Sequence, residues 1–348
     1  MVDQLQARGV QADVFDIDTV SLPSLAARIS GRFPALGAVA TTAMMKSGLR
    51  RHGSDYDAVN IHFVSPVYRP LAVWLKTLGR RLIASIWGSD FLRASPADLA
   101  TLHQTLSIAD IVTTNNPEVG RKLTAAFPEL EPKIRVIPFG MRSLDVIRDL
   151  QASETNAETR ELLGAPPDKA IVVIGYNASH QQQHGLMVDG LAALHVEEKS
   201  RIHVIAPMTY PDDGPYQADI EARLAEAGLS HDVWRGKRDI EDVCRLRIAS
   251  DYALNMQTTD SLSASIQEHI LTGTRMVVGA WLPYGLFEEM GVPILRVQNA
   301  ADITQAMRDC GLSRKQDECP AYAEGVYQRS SWTTSVGRWM SLFEGQAA

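Results

Sequence analysis

Short apolar runs bounded by turn formers recur along the chain, and between them apolar residues fall at three- and four-residue spacing. The runs predict strands at Ala58–Phe63, Leu82–Ile86, Asp110–Thr114 and Ile134–Ile137. A second set follows at Ala170–Gly175, Ile202–Ala206, Asp232–Trp234, Asp251–Met256, Met276–Val278 and Pro293–Val297. Helical spacing predicts helices at Glu118–Phe127, 186–195, 217–228, Asp239–Ile248 and, as one amphipathic element with Trp332 and Trp339, Tyr327–Phe343. The opening is different. Residues 2–9 read as the end of a helix closed by Gly9, Val10–Ile17 alternates as a strand, and 21–52 is helical and basic. An α/β domain ordinarily begins on a strand. The expectation is therefore that the first strand and its loop are absent or lie upstream of this start.

Strand–helix alternation in both halves predicts an α/β chain of two Rossmann-like domains facing a cleft. The length of 348 residues suits two domains. The polar and then proline-bearing stretch 150–168 is the expected linker, with a short helix, giving domains over 1–145 and 150–326 with a terminal helix, 327–345, returning to the first. At 45% hydrophobic residues the chain is not a disordered one. The net charge of −7 is unevenly spread: 15 Lys/Arg face 12 Asp/Glu in residues 1–140, and 19 face 29 in the rest. The basic half suggests an anionic partner; drift in surface composition explains the split as well. Tyr68–Arg81, a basic-ended amphipathic stretch around Trp74, reads either as a helix on an anionic membrane surface or as one packed on the sheet. Three scattered cysteines without a CxxC spacing favour a reducing cytoplasm over a disulfide framework or zinc site. No apolar run reaches the roughly 20 residues that span a bilayer, so any membrane contact is expected to be peripheral, at the inner face.

The densest candidate chemistry lies in Thr258–Gly279, TTDSLSASIQEHILTGTRMVVG. It reads as a loop, a helix stopped by Gly273 and a buried strand, with Asp260 or Ser261 as the helix cap. A helix mouth above a sheet is an anion site suited to phosphate. Asp260 and Glu268, about two turns apart, can hold sugar hydroxyls on either side of a diphosphate; they read equally as a cap and a solvated Glu. The loop Tyr176–Gly185 follows a strand and offers Asn177, Ser179, His180, Gln183 and His184. Arg235-Gly236-Lys237-Arg238 supplies cations for a diphosphate, or is a solvated basic turn. Trp281-Leu282-Pro283-Tyr284 is an aromatic loop that can stack on a base or sugar, or simply a packed turn. In the first half, His62 ends a strand and Gly88-Ser89-Asp90 forms a tight turn after another, both positions where open α/β sheets bind ligands. A satisfied core histidine is the other reading of His62.

These residues resemble GT-B glycosyltransferases of the large retaining family 4. The likeness rests on Asp260, seven residues and Glu268 before a helix with a small-x-Gly end; on Asp57-x-Val-x-x-His62; on Gly88-Ser89-Asp90; and on Val136-Ile137-Pro138-x-Gly140. It departs at Trp87, where the family often has His, and in the 176–185 loop, which lacks the family's Arg and Lys. That loop, with its Gly-Tyr-Asn opening, is also similar, more faintly, to acetamidofucosyl-type transferases. The resemblance implies transfer of a sugar from a nucleotide-diphosphate sugar to a glycan or lipid-linked saccharide in surface polysaccharide synthesis. The nucleotide sugar is then donor substrate, with no separate cofactor and no metal. Asp260, Glu268, His62 and Asp90 are the implied catalytic group. Asn177, His184, Arg235, Lys237, Ser261, Leu262 and Ser263 would hold the donor. Retention is the expected outcome; an inverting enzyme would need His62 or Asp90 as base. A nucleotide-sugar epimerase and a non-catalytic sugar-nucleotide binder are the alternatives, and no nucleic-acid motif is present.

Overall fold

The computed structural model describes residues 2–15, 42–43, 46–47, 55–315 and 319–345. The chain divides into two compact units, residues 1–138 with 336–348, and residues 139–335.

In the first unit, α1 (Val2–Gln6) is followed by Gly9 at φ +79°, as the glycine-stop reading expects. Residues 10–15 carry no regular structure, so the strand expected over Val10–Ile17 is not formed there; Asp13 instead accepts from the Tyr56 hydroxyl at 2.9 Å. The apolar alternation of that stretch is interrupted by aspartates, which sheets disfavour. Most of the basic pattern over 21–52 lies outside the described residues. Four parallel strands, β1 (Val59–His62), β2 (Leu82–Ile86), β3 (Ile111–Thr114) and β4 (Ile134–Val136), stand side by side in chain order. Val59 is level with Leu82, Ile83 with Ile111 and Val112 with Ile134. β2 is buried at every position, as a parallel strand covered on both faces must be.

The helix expected over Tyr68–Arg81 is mostly a turn. Pro66–Tyr68 is a 3-10 turn, and only Ala72–Lys76 (α2) is helical. Leu71, Leu75 and Leu78 are buried in the core beside Leu82 and Ile86, which favours the packed reading of this stretch over the membrane-surface one. α3 (Ser89–Leu92), α4 (Pro96–Ile108) and α5 (Pro117–Ala126) follow, the latter two capped by Ser95 and Asn116 with proline in the first turn.

The second unit begins with α6 (Arg142–Ser153) and α7 (Asn156–Leu162), so the stretch read as a linker is largely helical. Its Arg160 is 3% exposed. That side chain donates to Asp251 Oδ2 at 3.1 Å and to the Ala249 carbonyl at 2.9 Å. Asp251 also accepts from the Ile171 amide at 2.7 Å and the Lys315 amide at 2.8 Å. A polar local pattern cannot reveal such a partner, because it lies 91 residues away.

Six parallel strands form the second sheet: β5 (Ala170–Ile174), β6 (Ile202–Pro207), β7 (His231–Trp234), β8 (Tyr252–Asn255), β9 (Arg275–Gly279) and β10 (Ile294–Val297). Their order is β10-β9-β8-β5-β6-β7. The chain builds outward from β5 to β7, then returns to lay β8 on the other side of β5 and builds outward again. The helices between are α8 (His184–Ala192), α9 (Val196–Ser200), α10 (Gly214–Glu226), α11 (Ile240–Ala249), α12 (Ala264–Leu271), α13 (Gly285–Glu289) and α14 (Ala300–Asp309). The predicted terminal helix is broken: α15 (Ala321–Ser330) ends where Ser331 turns extended, and α16 (Trp332–Glu344) begins. The Met141 amide takes the Ser330 carbonyl at 2.9 Å at that break. Within the first unit, Trp339 of α16 is fully buried and donates to the Pro138 carbonyl at 3.1 Å.

Candidate functional site

In an open parallel sheet, ligands bind beyond the carboxyl ends of the strands where the strand order reverses. In the second unit that point lies between β5 and β8. Two loops meet there, residues 175–183 after β5 and 256–263 after β8, and each leads into a helix of at least eight residues, α8 and α12. The loops are stitched together. Gln183 donates to the Met256 carbonyl, the Thr258 amide to the Gln181 carbonyl at 2.9 Å, and the Tyr176 hydroxyl to Gln257 Oε1 at 3.1 Å. Gly175 (φ +63°) makes the first loop possible: a Cβ there would sit 2.6 Å from His184 Nε2.

Asn177 shapes this loop by accepting from the Ser179 amide at 2.9 Å. His184, the first residue of α8, is fully buried, and its Nδ1 lies 3.0 Å from the Tyr216 hydroxyl. Burial pulls its pKa down to about 4, so it is neutral at pH 7 and offers no charge to a diphosphate. Its Nε2 and Gln182 Oε1, both buried, have no hydrogen-bond partner among the described residues. Such atoms each cost about 1–3 kcal/mol and call for an explanation.

Asp260 lies in the second loop, but it is turned on its own backbone. Its carboxylate accepts from the Ser261 amide at 2.8 Å, the Ser263 amide at 3.0 Å, Ser263 Oγ at 3.1 Å and the Tyr284 hydroxyl at 2.5 Å. Asn255 in turn donates to the Tyr284 oxygen at 2.7 Å. Burial raises the Asp260 pKa against the pull of these donors, Tyr284 first. Two amides expected to face a ligand, those of Ser261 and Ser263, are thus taken by Asp260. Leu262 is buried at φ +63°. The helix cap is Ser263, not Asp260 or Ser261. Trp281 spans Gly279, and its Nε1 donates to the Gln257 carbonyl at 2.8 Å with 42% of the residue exposed.

Three predicted residues are not at this point. Glu268 is buried within the unit and pairs with Arg247 of α11 at 3.1 Å; Arg247 also lies 3.1 Å from His269 Nε2. The eight-residue spacing from Asp260 places Glu268 inside α12's packed face, because the helix starts only at Ala264 and every residue from Ser265 to Leu271 is buried. Arg235 and Lys237 follow β7, the edge strand, two strands out from β5. At about 4.8 Å per strand that is about 10 Å to the side. Arg235 is paired with Glu221 at 2.5 Å, and Arg238 lies over the Trp234 ring at 4.9 Å.

In the first unit, His62 ends β1 and Asp90 lies in the first turn of α3. Gly88 takes φ +115°, and the Asp90 carboxylate accepts from the amides of Trp87 at 3.1 Å, Gly88 at 2.8 Å and Val64 at 3.0 Å. It fastens the loop after β1 to the loop after β2. Burial raises its pKa against those bonds. His62 is packed between Trp87 and Trp339, with ring centroids at 6.0 and 6.1 Å. Desolvation pulls its pKa down to about 4. Its Nε2 lies 3.0 Å from Asn60 Nδ2, and its Nδ1 is buried without a partner among the described residues. The sequence reading missed Asn60, Gln182, Tyr216, Asn255, Gln257 and the pairing of Arg247. Asn60 alone had a local signal, since a strand places residues two apart on one face.

No family model matches the chain, and no curated protein matches it. Solved structures do. Over 99% of its length the chain is similar to a glycosyltransferase from Rickettsia africae (14% identity, 87% of that chain, TM-score 0.67). It is similar over the same share to Anabaena HepE in complex with UDP and glucose (15% identity, 88% of that chain, TM-score 0.70). Sucrose-phosphate synthase from Thermosynechococcus elongatus aligns with 89% of this chain and 78% of its own (15% identity, TM-score 0.67). The fold is GT-B. Two parallel-sheet α/β units are the architecture these structures share with the chain. Among the described residues no helix is long and apolar enough to cross a membrane.

Proposed function

We propose that the protein transfers a sugar from a nucleoside-diphosphate sugar to a glycan or lipid-linked saccharide acceptor, with retention at the anomeric carbon, in the assembly of a surface polysaccharide. The observation that carries this reading is the switch point of the second sheet, where the α8 and α12 amino ends rise from adjacent strands. Helix amino ends bind phosphate through amides and dipole without a cation. The fold supports it: HepE, which shares that fold, was solved with UDP and glucose. Asn177, Gln182 and His184 offer neutral polar contacts, Trp281 an exposed ring for the base or sugar, and Leu262 backbone for the sugar. Asp260 shapes the loop, and Glu268 supports α12 from within. The family 4 and acetamidofucosyl-type likenesses belong to this proposal. Retention is favoured because both candidate bases are already engaged: His62 Nε2 faces the Asn60 amide, and the Asp90 carboxylate accepts three backbone amides.

One observation favours a second reading, a protein that binds nucleotide sugars without turning them over: the Arg and Lys of the 176–185 loop are missing. The deciding experiment is thermal shift against UDP-, GDP- and TDP-sugars and the free nucleotides, followed by transfer assays with the best donor. Ligand at 100 times its dissociation constant adds about 2.7 kcal/mol. A shift with transfer supports the enzyme, a shift without transfer to any acceptor supports the binder, and no shift with any nucleotide sinks both.

A further inference from the structure

Three parallel strands of the first unit carry a chain of hydrogen bonds that ends on His62. Thr113 Oγ1 of β3 donates to Ser85 Oγ of β2 at 2.8 Å. Ser85 Oγ donates to Asn60 Oδ1 of β1 at 2.9 Å. With its oxygen committed, Asn60 presents its NH₂ to His62 Nε2 at 3.0 Å. Ser85 and Thr113 are fully buried, so water does not compete for these bonds. An amide nitrogen only donates, so the imidazole nitrogen facing it must accept. A neutral imidazole with Nε2 accepting carries its proton on Nδ1.

We propose that Asn60 is a positioning residue that holds His62 as the Nδ1–H tautomer, so that His62 acts only as a hydrogen-bond donor and never as a base. The single lone pair of the neutral ring is occupied by Asn60. The remaining functional atom is the Nδ1–H, the one atom of the ring without a partner among the described residues. Ser85 and Thr113 favour this orientation: were Asn60 reversed, its NH₂ would donate to Ser85 Oγ, one buried hydroxyl hydrogen of the pair would lose its acceptor, and the Asn60 oxygen would draw the proton to Nε2. Burial keeps the ring neutral at pH 7 and so preserves the arrangement. That this donor, buried in the free protein, meets a saccharide oxygen on binding rests on the transferase reading; the position of the proton does not.

The test is two-bond ¹H–¹⁵N correlation spectroscopy of the histidine rings at pH 7.5, with His62 assigned by the signals lost in His62→Gln. Expected is a pyrrole-like Nδ1 and a pyridine-like Nε2. Asn60→Asp, nearly isosteric, replaces the donor by an acceptor and should move the proton to Nε2. Ser85→Ala frees Asn60 to flip and should show both tautomers. Native His62 protonated at Nε2, or the same Nδ1–H pattern retained in both variants, overturns the proposal whether or not the protein transfers sugar. In a transfer assay Asn60→Asp should lower kcat about 10²-fold with little change in the donor KM, the loss expected for one misplaced donor. The expected spectra with unchanged kcat leave the tautomer standing and overturn the donor role. The expected spectra with no transfer by the native protein reject the transferase reading alone.

Discussion

Glu268 is held by a buried partner, Arg247, rather than presented to an opening. Removing its partner by Arg247→Met strands a carboxylate in the core and should cost about 3–5 kcal/mol, whereas Arg247→Met with Glu268→Leu should be near neutral. Urea denaturation of the two variants measures this, and equal losses would contradict the pairing. His184 makes a prediction in pH. Its folded pKa of about 4 lies below the 6.5 of an unfolded histidine. The unfolded chain therefore binds the extra proton first, and stability from this group is present above pH 6.5 and lost as pH falls towards 4. The full loss is about 3 kcal/mol. His184→Asn, which can keep a bond to Tyr216, should flatten the stability profile between those limits. A profile as steep as that of the native protein would show that other groups cause it.

At the scale of elements, the loop after β5 is fixed by Gly175. Gly175→Ala adds a methyl against His184 and demands a left-handed backbone, so it should lower stability by about 1–3 kcal/mol and abolish nucleotide-induced thermal shifts. Retained shifts would mean that the loop does not form the site. Ten strands stand within a residue or two of where their apolar runs place them. β2, β5, β6 and β8 are buried at every position and so leave a continuous signal that needs no partner to be read, and the less buried strands are marked by short apolar runs between turn formers. The failures have two causes, local helix breakers and partners remote in sequence. Tyr68–Arg81 reads as a helix by spacing, yet proline and glycine at its ends leave five helical residues. The 150–168 stretch reads as a linker because Asp251, which buries Arg160, is remote in sequence. Tyr327–Phe343 reads as one helix because nothing local announces the bond from Met141. The site was legible to the same extent: the Asn177 and His184 loop and the Asp260 loop belong to one switch point, but the spacing of Asp260 and Glu268 said nothing of which way either side chain turns.

For the molecule as a whole, the consequence of strand order is electrostatic. The basic turn Arg235–Arg238 flanks the second sheet at its edge, and the loops at the switch point hold no lysine or arginine. Nucleotide binding should therefore depend weakly on ionic strength. Raising salt from 50 to 500 mM should change the dissociation constant by less than about threefold, since short-range amide and dipole contacts are less screened than contacts between full charges. A tenfold or greater loss in titration calorimetry would place cations in direct contact with the diphosphate.

Asp251 has one further consequence. Its two oxygens gather Arg160, the Ile171 amide and the Lys315 amide from segments 91, 80 and 64 residues distant. Fraying of the Arg160 segment leaves the buried Asp251 charge without its counter-ion, and fraying of either amide removes a donor from it, so partial opening is disfavoured. The Ile171 and Lys315 amides should then exchange with deuterium at one common rate, set by global unfolding and rising together with urea. A faster rate for Lys315 would show that the tail of this unit opens by itself.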